Sequence, residues 1–272
     1  MYLGSLNERR ARSTDPPLKP GFLAEYHAPI ECGERVPADR GVDNPAVPSG
    51  PQYTMSLVTI PETINGYRVL KHVGDGAASR IFCVFDPKSS EVFALKQVLL
   101  NPDRDKDDRF LIQAENEVRI SKKLSHNVIR KIHSIEKIRP KGWARTEVTV
   151  LMEFVDGQAL DQLVHLPIEE KLEILTEVSD GLAHMNDKGY VHADMKPTNV
   201  MVNENRVVKV IDLGQAHPIG KAKERIQGTP GFMAPEQANV EPLTERTDVY
   251  NFGATMYWVF TGQEIPTNGA GG

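Results

Sequence analysis

Apolar and polar positions along the 272-residue chain change texture twice. As far as about Pro61 the chain mixes Pro, Gly and charge with no sustained apolar period, as at Pro16-Pro17, which predicts a disordered tail over 1-61. A brief alternation over Tyr53 to Ile60 keeps open a short ordered appendage docked on the domain. Order is expected from Ile64-Asn65-Gly66-Tyr67, followed by strand-like runs at Tyr67 to Val73, Arg80 to Asp86, Val92 to Leu99, Ile132 to Ile138 and Glu147 to Phe154. One helical segment interrupts them, Asp107 to Leu124, with Phe110, Ala114, Val118 and Leu124 at helical spacing.

Past Gly157 the texture turns helical. Leu160 to Leu166 and Ile168 to Met185 predict two helices with apolar residues three and four apart. Thr247-Asp248 is a candidate cap for a strongly apolar helix over Val249 to Phe260. These elements predict an α+β fold with two lobes: a small antiparallel β lobe carrying one long helix over 64-155, and a helical lobe over 156-272. The connector is Glu153 to Gly157. No internal repeat is visible.

A hydrophobic fraction of 40% and a charged fraction of 25% belong to a globular chain. The net charge of -5 argues against nucleic acid as the partner of the chain as a whole. Cys32 and Cys83 sit in unlike contexts, so a disulfide framework is not expected. No run approaches the roughly 18 apolar residues of a membrane helix, and the N-terminus lacks an apolar signal core. The expectation is a cytoplasmic protein without a membrane partner.

Gly74-Asp75-Gly76-Ala77-Ala78-Ser79 approximates a G-x-G-x-x-G turn with serine at its last glycine. Alone it reads first as a surface hairpin. A dinucleotide-binding turn would open a helix, whereas Arg80 to Phe85 reads as a strand. Strand, glycine turn and strand describe a flap that lowers backbone N–H groups onto phosphates. Lys96, on the next strand, reads either as a solvated strand end or as a phosphate-directed cation. The second needs a carboxylate partner, and the following helix offers Glu117, preferred here, and Glu115.

His192-Ala193-Asp194-Met195-Lys196-Pro197-Thr198-Asn199, then Ile211-Asp212-Leu213-Gly214, then Ala234-Pro235-Glu236, follow in that order. Here the chain resembles the protein kinase superfamily of eukaryotic type, whose H-R-D-x-x-x-x-N, D-F-G and A-P-E signatures these are. The resemblance runs from Tyr67 to Gly262, about three quarters of a domain of roughly 250 residues.

The resemblance implies an ATP-dependent protein kinase using Mg²⁺ and acting on a protein substrate. Phosphoryl transfer asks chiefly for positioning and charge neutralisation. By resemblance Asp194 accepts the proton of the incoming hydroxyl, Lys196 neutralises charge on the transferred group, and Asn199 and Asp212 are the oxygen ligands for Mg²⁺. The implied nucleotide contacts are Val73, Gly74, Gly76, Ser79, Ile81, Ala94, Lys96, Glu117, Met152, Glu153, Val155 and Met201. Of these, Ile81, Ala94 and Met201 would sandwich adenine, Glu153 to Val155 would offer backbone hydrogen bonds, and Met152 would guard the rear. Lys196, two residues after Asp194, follows the serine/threonine pattern. Thr229 would bond Asp194 or Lys196 as a structural threonine. Asp248 resembles the aspartate that anchors the catalytic loop, a position equally compatible with a plain helix N-cap.

The chain also departs from the family. Ala193 stands where many kinases carry arginine, and Thr229 is the only hydroxyl-bearing residue from Asp212 to Glu236. An activation-loop phosphate would lack both its site and its cation, so no switching by such phosphorylation is expected. Leu213 replaces the usual phenylalanine. Ser121 puts a polar group where the Glu117 helix is usually locked by apolar packing, so that helix is expected to swing out unless held. Glu236 lacks the distant arginine that is its family partner. Tyr257, Trp258 and Phe260 are expected to lie uncovered at about 2 kcal/mol each, as in an incomplete piece of the domain, and to invite a partner or self-association. Two other functions compete: a catalytically silent kinase-fold scaffold, which usually lacks one of the required groups present here, and a small-molecule kinase, disfavoured by the Thr229 to Glu236 segment.

Overall fold

The computed structural model describes residues 60–76, 79–99, 109–138 and 147–265. Nearly all of the predicted tail, the centre of the glycine turn at Ala77 and Ala78, and Cys32 lie outside the described residues.

The small lobe is a six-stranded antiparallel sheet of β1 (Thr63–Ile64), β2 (Tyr67–Gly76), β3 (Ser79–Asp86), β4 (Glu91–Leu99), β5 (Ile132–Ile138) and β6 (Glu147–Glu153). Its order is β1-β2-β3-β4-β6-β5. Asn65 and Gly66 close the first hairpin with φ of 52° and 84°, the two positive values that a tight two-residue turn demands. Because successive side chains of a strand face opposite ways, the sheet buries two separate sets. Phe82, Val84, Leu95 and Leu151 pack with Ile64 on one face. Ala94, Val98, Val148, Val150 and Met152 pack with Ala114 and Val118 of helix α1 (Arg109–Ser121) on the other. That second set is what presses the Glu117-bearing helix onto the sheet.

The larger lobe departs from the helical expectation. Helix α2 (Ile168–Asp187) is present, but the helix expected over Leu160 to Leu166 is a single 3-10 turn, Leu160–Gln162. Its bonds run from Leu163 N to Leu160 O and from Leu166 N to Leu163 O, and Pro167 has no N–H to continue the ladder. Five short strands also occupy this half: β7 (Gly157–Ala159), β8 (Tyr190–Val191), β9 (Val200–Asn203), β10 (Val208–Val210) and β11 (His217–Pro218). None exceeds four residues, too short for a period of two to declare itself.

After the short helix α3 (Pro235–Ala238) comes α4 (Glu245–Thr261), which starts before the expected cap. Thr244 is the N-cap, its amide donating to Thr247 Oγ1 at 3.1 Å, and Asp248 lies inside the first turn. The core under these helices gathers Ile174, Val178, Leu182 and Met185 of α2, Val200 and Val202 of β9, Val208 and Val210 of β10, and Val259 of α4. Tyr257 and Phe260 are exposed as expected, but Trp258 packs against this core. No described helix is long and apolar enough to cross a membrane.

Candidate active site

The site is assembled from β3 and β4, helix α1, the loop 192–199 between β8 and β9, and the segment after β10. Lys96 Nζ on β4 lies 3.0 Å from Glu117 Oε2 on α1, and Glu117 is 1% exposed. Glu115 instead pairs with Lys137 on the outer face, which decides between the two carboxylates. Burial pushes the Lys96 ammonium down, but Glu117 and Asp212 outweigh it and hold it above the usual lysine range. The lysine is therefore charged.

Asp212 sits in a left-handed turn, φ 65°, and accepts the Gly214 amide on Oδ1 at 3.1 Å. Burial pushes its carboxyl up. Lys96, that amide, Arg130 and His192 overcome burial and keep it below the usual carboxylate range. A carboxylate is thus ready to take a cation.

The loop 192–199 is held from beneath. Asp248 accepts the amide of His192 on Oδ2 and the amide of Ala193 on Oδ1, both at 2.9 Å, and Asn186 Nδ2 adds a third donor at 3.0 Å. These bonds hold Ala193 at φ 59°, a conformation that costs a residue with a Cβ about 1 kcal/mol. Gln237 Nε2 donates to the Ala193 carbonyl at 2.8 Å, and Asn199 Nδ2 to the Asp194 carbonyl at 2.8 Å. The second bond commits the donor end of Asn199, leaving its oxygen for a cation.

At the mouth, the Thr229 hydroxyl donates to Asp194 Oδ1 at 2.7 Å and accepts from Lys196 Nζ at 2.8 Å. Both expected partners of Thr229 are engaged together. Lys196 Nζ is also 3.4 Å from Asp194 Oδ2.

The nucleotide positions converge by strand register. Gly74 faces Ile81, Gly76 faces Ser79, Ile81 faces Lys96, and Ala94 faces Met152. A Cβ on Gly76 would meet Ser79 Oγ at 2.7 Å, so the glycine lets the serine close the turn. Val73 is exposed, while Ile81 packs with Ala94 and Met152. Met201, on β9, is half-buried. One expectation narrows at the connector. The Glu153 amide already donates to the Lys131 carbonyl at 2.9 Å, and its carboxylate is held by Lys209 Nζ at 2.6 Å and by the Lys131 amide at 3.0 Å. The amide of Val155 is left, with no backbone acceptor among the described residues.

A model of the protein kinase domain matches residues 67–271, well over half of the chain. The chain belongs to the protein kinase family. Curated relatives are similar at modest identity. Serine/threonine-protein kinase PknB of Mycobacterium leprae is 28% identical over 220 residues, covering 76% of this chain and 34% of that protein. PknB of Lactococcus lactis, described as probable, is 29% identical over 212 residues, covering 75% and 32%. Serine/threonine-protein kinase TIO of Arabidopsis thaliana is 29% identical over 207 residues, covering 74% and 15%. The chain thus spans about a third of the PknB relatives, 34% and 32%, and less of TIO.

Members of this family use ATP and Mg²⁺, and the donor set here suits both: hard oxygens at Asp212 and Asn199, a charged lysine at 96 and glycines at 74 and 76. Several residues of the site carry no sequence motif. Gln237 ties the Ala193 and Gln227 carbonyls to the Ala234 amide and to Asn251. Arg130 reaches Glu117, and the buried Lys223 donates to Gln215 Oε1 at 3.2 Å. Glu236, expected to await a distant arginine, accepts the Thr247 hydroxyl at 2.6 Å. Ser121 spends its hydroxyl on the Val118 carbonyl of its own helix at 3.0 Å.

Proposed function

We propose that this chain is an active serine/threonine kinase, transferring the γ-phosphoryl of ATP to a hydroxyl of a protein substrate. The observation that carries the reading is the Thr229 hydroxyl, bonded at once to Asp194 and Lys196, because it seats the base and the cation of transfer side by side. When bound, the magnesium nucleotide supplies the phosphoryl group and the divalent charge that neutralises it. Asp212 and Asn199 would hold the metal. Lys96, steadied by Glu117, would hold the α- and β-phosphates, and Gly74, Gly76 and Ser79 would cover them. Ile81, Ala94 and Met201 would line the base.

Asp194 orients the substrate hydroxyl and takes its proton as the new O–P bond forms and ADP departs. Lys196 stabilises the charge on the transferred group. Groups held in place before reaction avoid reorganisation at the moment of transfer, which is the larger part of what a site can contribute here.

The test is transfer from labelled ATP with Mg²⁺ to a panel of Ser/Thr and Tyr protein substrates, comparing the chain with Asp194→Asn and Lys96→Met. Label on Ser or Thr, lost by at least about a hundredfold in both variants, is expected. Transfer no greater than that of Asp194→Asn would return the chain to the scaffold reading, and label on Tyr alone would overturn the specificity.

A further inference from the structure

One buried cation beside Glu117 carries no sequence motif. Arg130, 8% exposed, lies on a stretch of backbone tied to β10 in the larger lobe. Ile129 bridges Val210 in parallel fashion, Arg130 N donates to Val210 O at 3.0 Å, and Val210 N donates to Val128 O at 2.6 Å. Two residues beyond Val210 is Asp212. From this anchorage Arg130 Nη2 comes within 3.5 Å of Glu117 Oε1.

That oxygen is buried and has no hydrogen-bond partner, while the other oxygen of the same carboxylate takes Lys96 at 3.0 Å. One carboxylate on α1 therefore lies between two cations of different origin. Lys96 belongs to the sheet against which α1 packs; Arg130 belongs to backbone shared with the strand that leads to Asp212. A guanidinium does not shed its proton, and a buried one needs a carboxylate. Among the described residues, Glu117 is its only ion-pair partner.

Ser121 sharpens the point. Its hydroxyl turns back onto its own helix, so this buried position adds no polar tie from α1 to the larger lobe. Asn116 of the same helix does reach that lobe, its Nδ2 donating to the Ala216 carbonyl at 2.8 Å, and α1 stands with Glu117 turned inward beside this tie.

We propose that Arg130 is a positioning residue that holds helix α1 inward through Glu117 independently of Lys96, coupling the helix to the strand that carries Asp212. If Lys96 is removed, the carboxylate remains engaged and can close the 3.5 Å gap to a full charge-assisted hydrogen bond. The consequence for catalysis rests on the kinase reading above; the hold on the helix does not.

The experiment is amide hydrogen exchange over residues 109–121 in the full chain without nucleotide, for the parent, Lys96→Met, Arg130→Met and the double variant. Each single variant is expected to exchange within about threefold of the parent, and the double variant at least about tenfold faster. Lys96→Met exchanging as fast as the double variant would overturn the proposal, as would a double variant no faster than the parent. Should the double variant not fold, Glu117→Gln releases both cations at once and is expected to exceed Lys96→Met; equality of those two would sink the idea.

A steady-state arm separates positioning from plain structure. Arg130→Met is expected to lower kcat about tenfold with KM for ATP within about twofold, and Arg130→Lys to recover part of the loss. An unchanged kcat in an active enzyme overturns the positioning role. A chain without transfer activity but with the expected exchange pattern would overturn the proposed function and leave the Arg130 hold standing.

Discussion

Asp248 Oδ1 accepts the amide of Ala193 at 2.9 Å from inside the first turn of α4, while its other oxygen takes the amide of His192 at 2.9 Å. A helix of the larger lobe thus fixes the two peptide units that lead into the proposed base, Asp194. Burial pushes the Asp248 carboxyl up, and His192 with three donated hydrogen bonds opposes it. Asp248→Asn replaces one acceptor oxygen with an N–H₂ facing another donor. We expect a loss of about 1–3 kcal/mol in urea unfolding and a fall of about a hundredfold in phosphoryl transfer. Wild-type behaviour in both would remove Asp248 from the support of the loop.

Thr229 holds Asp194 and Lys196 together through one hydroxyl. Thr229→Val keeps the shape and deletes both bonds, and should lower kcat about tenfold to a hundredfold with little change in the melting temperature. Thr229→Ser should retain most activity. Intact-mass analysis of an active preparation should find Thr229 unmodified; stoichiometric phosphate there would contradict its bridging role.

Gly157 opens β7 where it crosses the end of β9. A Cβ at this position would meet the Val202 carbonyl oxygen at 2.4 Å and its carbon at 2.7 Å. The atoms met are all backbone of Val202 and Asn203, so no side chain can turn aside. Gly157→Ala should therefore cost about 1–3 kcal/mol, measured by the shift in urea midpoint, and a neutral substitution would contradict this packing.

Lys223 is buried, and among the described residues its one hydrogen-bond partner is the neutral Gln215. Burial pushes its ammonium down to about 8 against attraction from Asp194 and Asp248, with Arg225 adding to the depression. The unfolded chain holds this proton up to the ordinary 10.5, so between about 8 and 10.5 it binds more protons than the fold, and stability from this group rises with pH. Cys83, whose thiol burial pushes up to about 12, acts oppositely above pH 9. The decisive quantity is the difference in unfolding free energy between the parent and Lys223→Met. The parent should gain on the variant from pH 8 to 10.5, and a flat difference would show the lysine to be solvated.

Much of the site was legible in the chain itself. Asp194, Lys196, Asn199 and Asp212 stand in the kinase signatures that the chain resembles, each within one loop or turn, so naming them needs no distant partner. The preference for Glu117 over Glu115 as the partner of Lys96 rests on Leu124 and His126, which follow it at the offsets expected where a helix ends. The structure pairs Lys96 with Glu117 and Lys137 with Glu115, since two residues along a helix turn a side chain by about 200°. Strands β2 to β6 showed their pattern because each runs seven residues or more.

What was misread has a common cause. Strands β7 to β11 lie in a half whose pattern predicts helices, because two to four residues carry no period, and partners such as Val202 for Gln158 lie far along the chain. The cap at Thr244 was missed in favour of Thr247-Asp248, since several residues there have capping chemistry and only backbone angles choose among them.

By itself, then, the amino-acid order determined which chemical groups are present, their local spacing, and which long segments alternate to bury one face. Tertiary packing alone decided that Arg130 should share Glu117 with Lys96, that Asp248 should hold Ala193 in a left-handed turn, and that Trp258 should be partly covered while Phe260 is exposed. The physical reason is range: side-chain chemistry and periodicity act over a few residues, whereas the partner of a buried charge is set by which distant segments the core brings within a few ångströms.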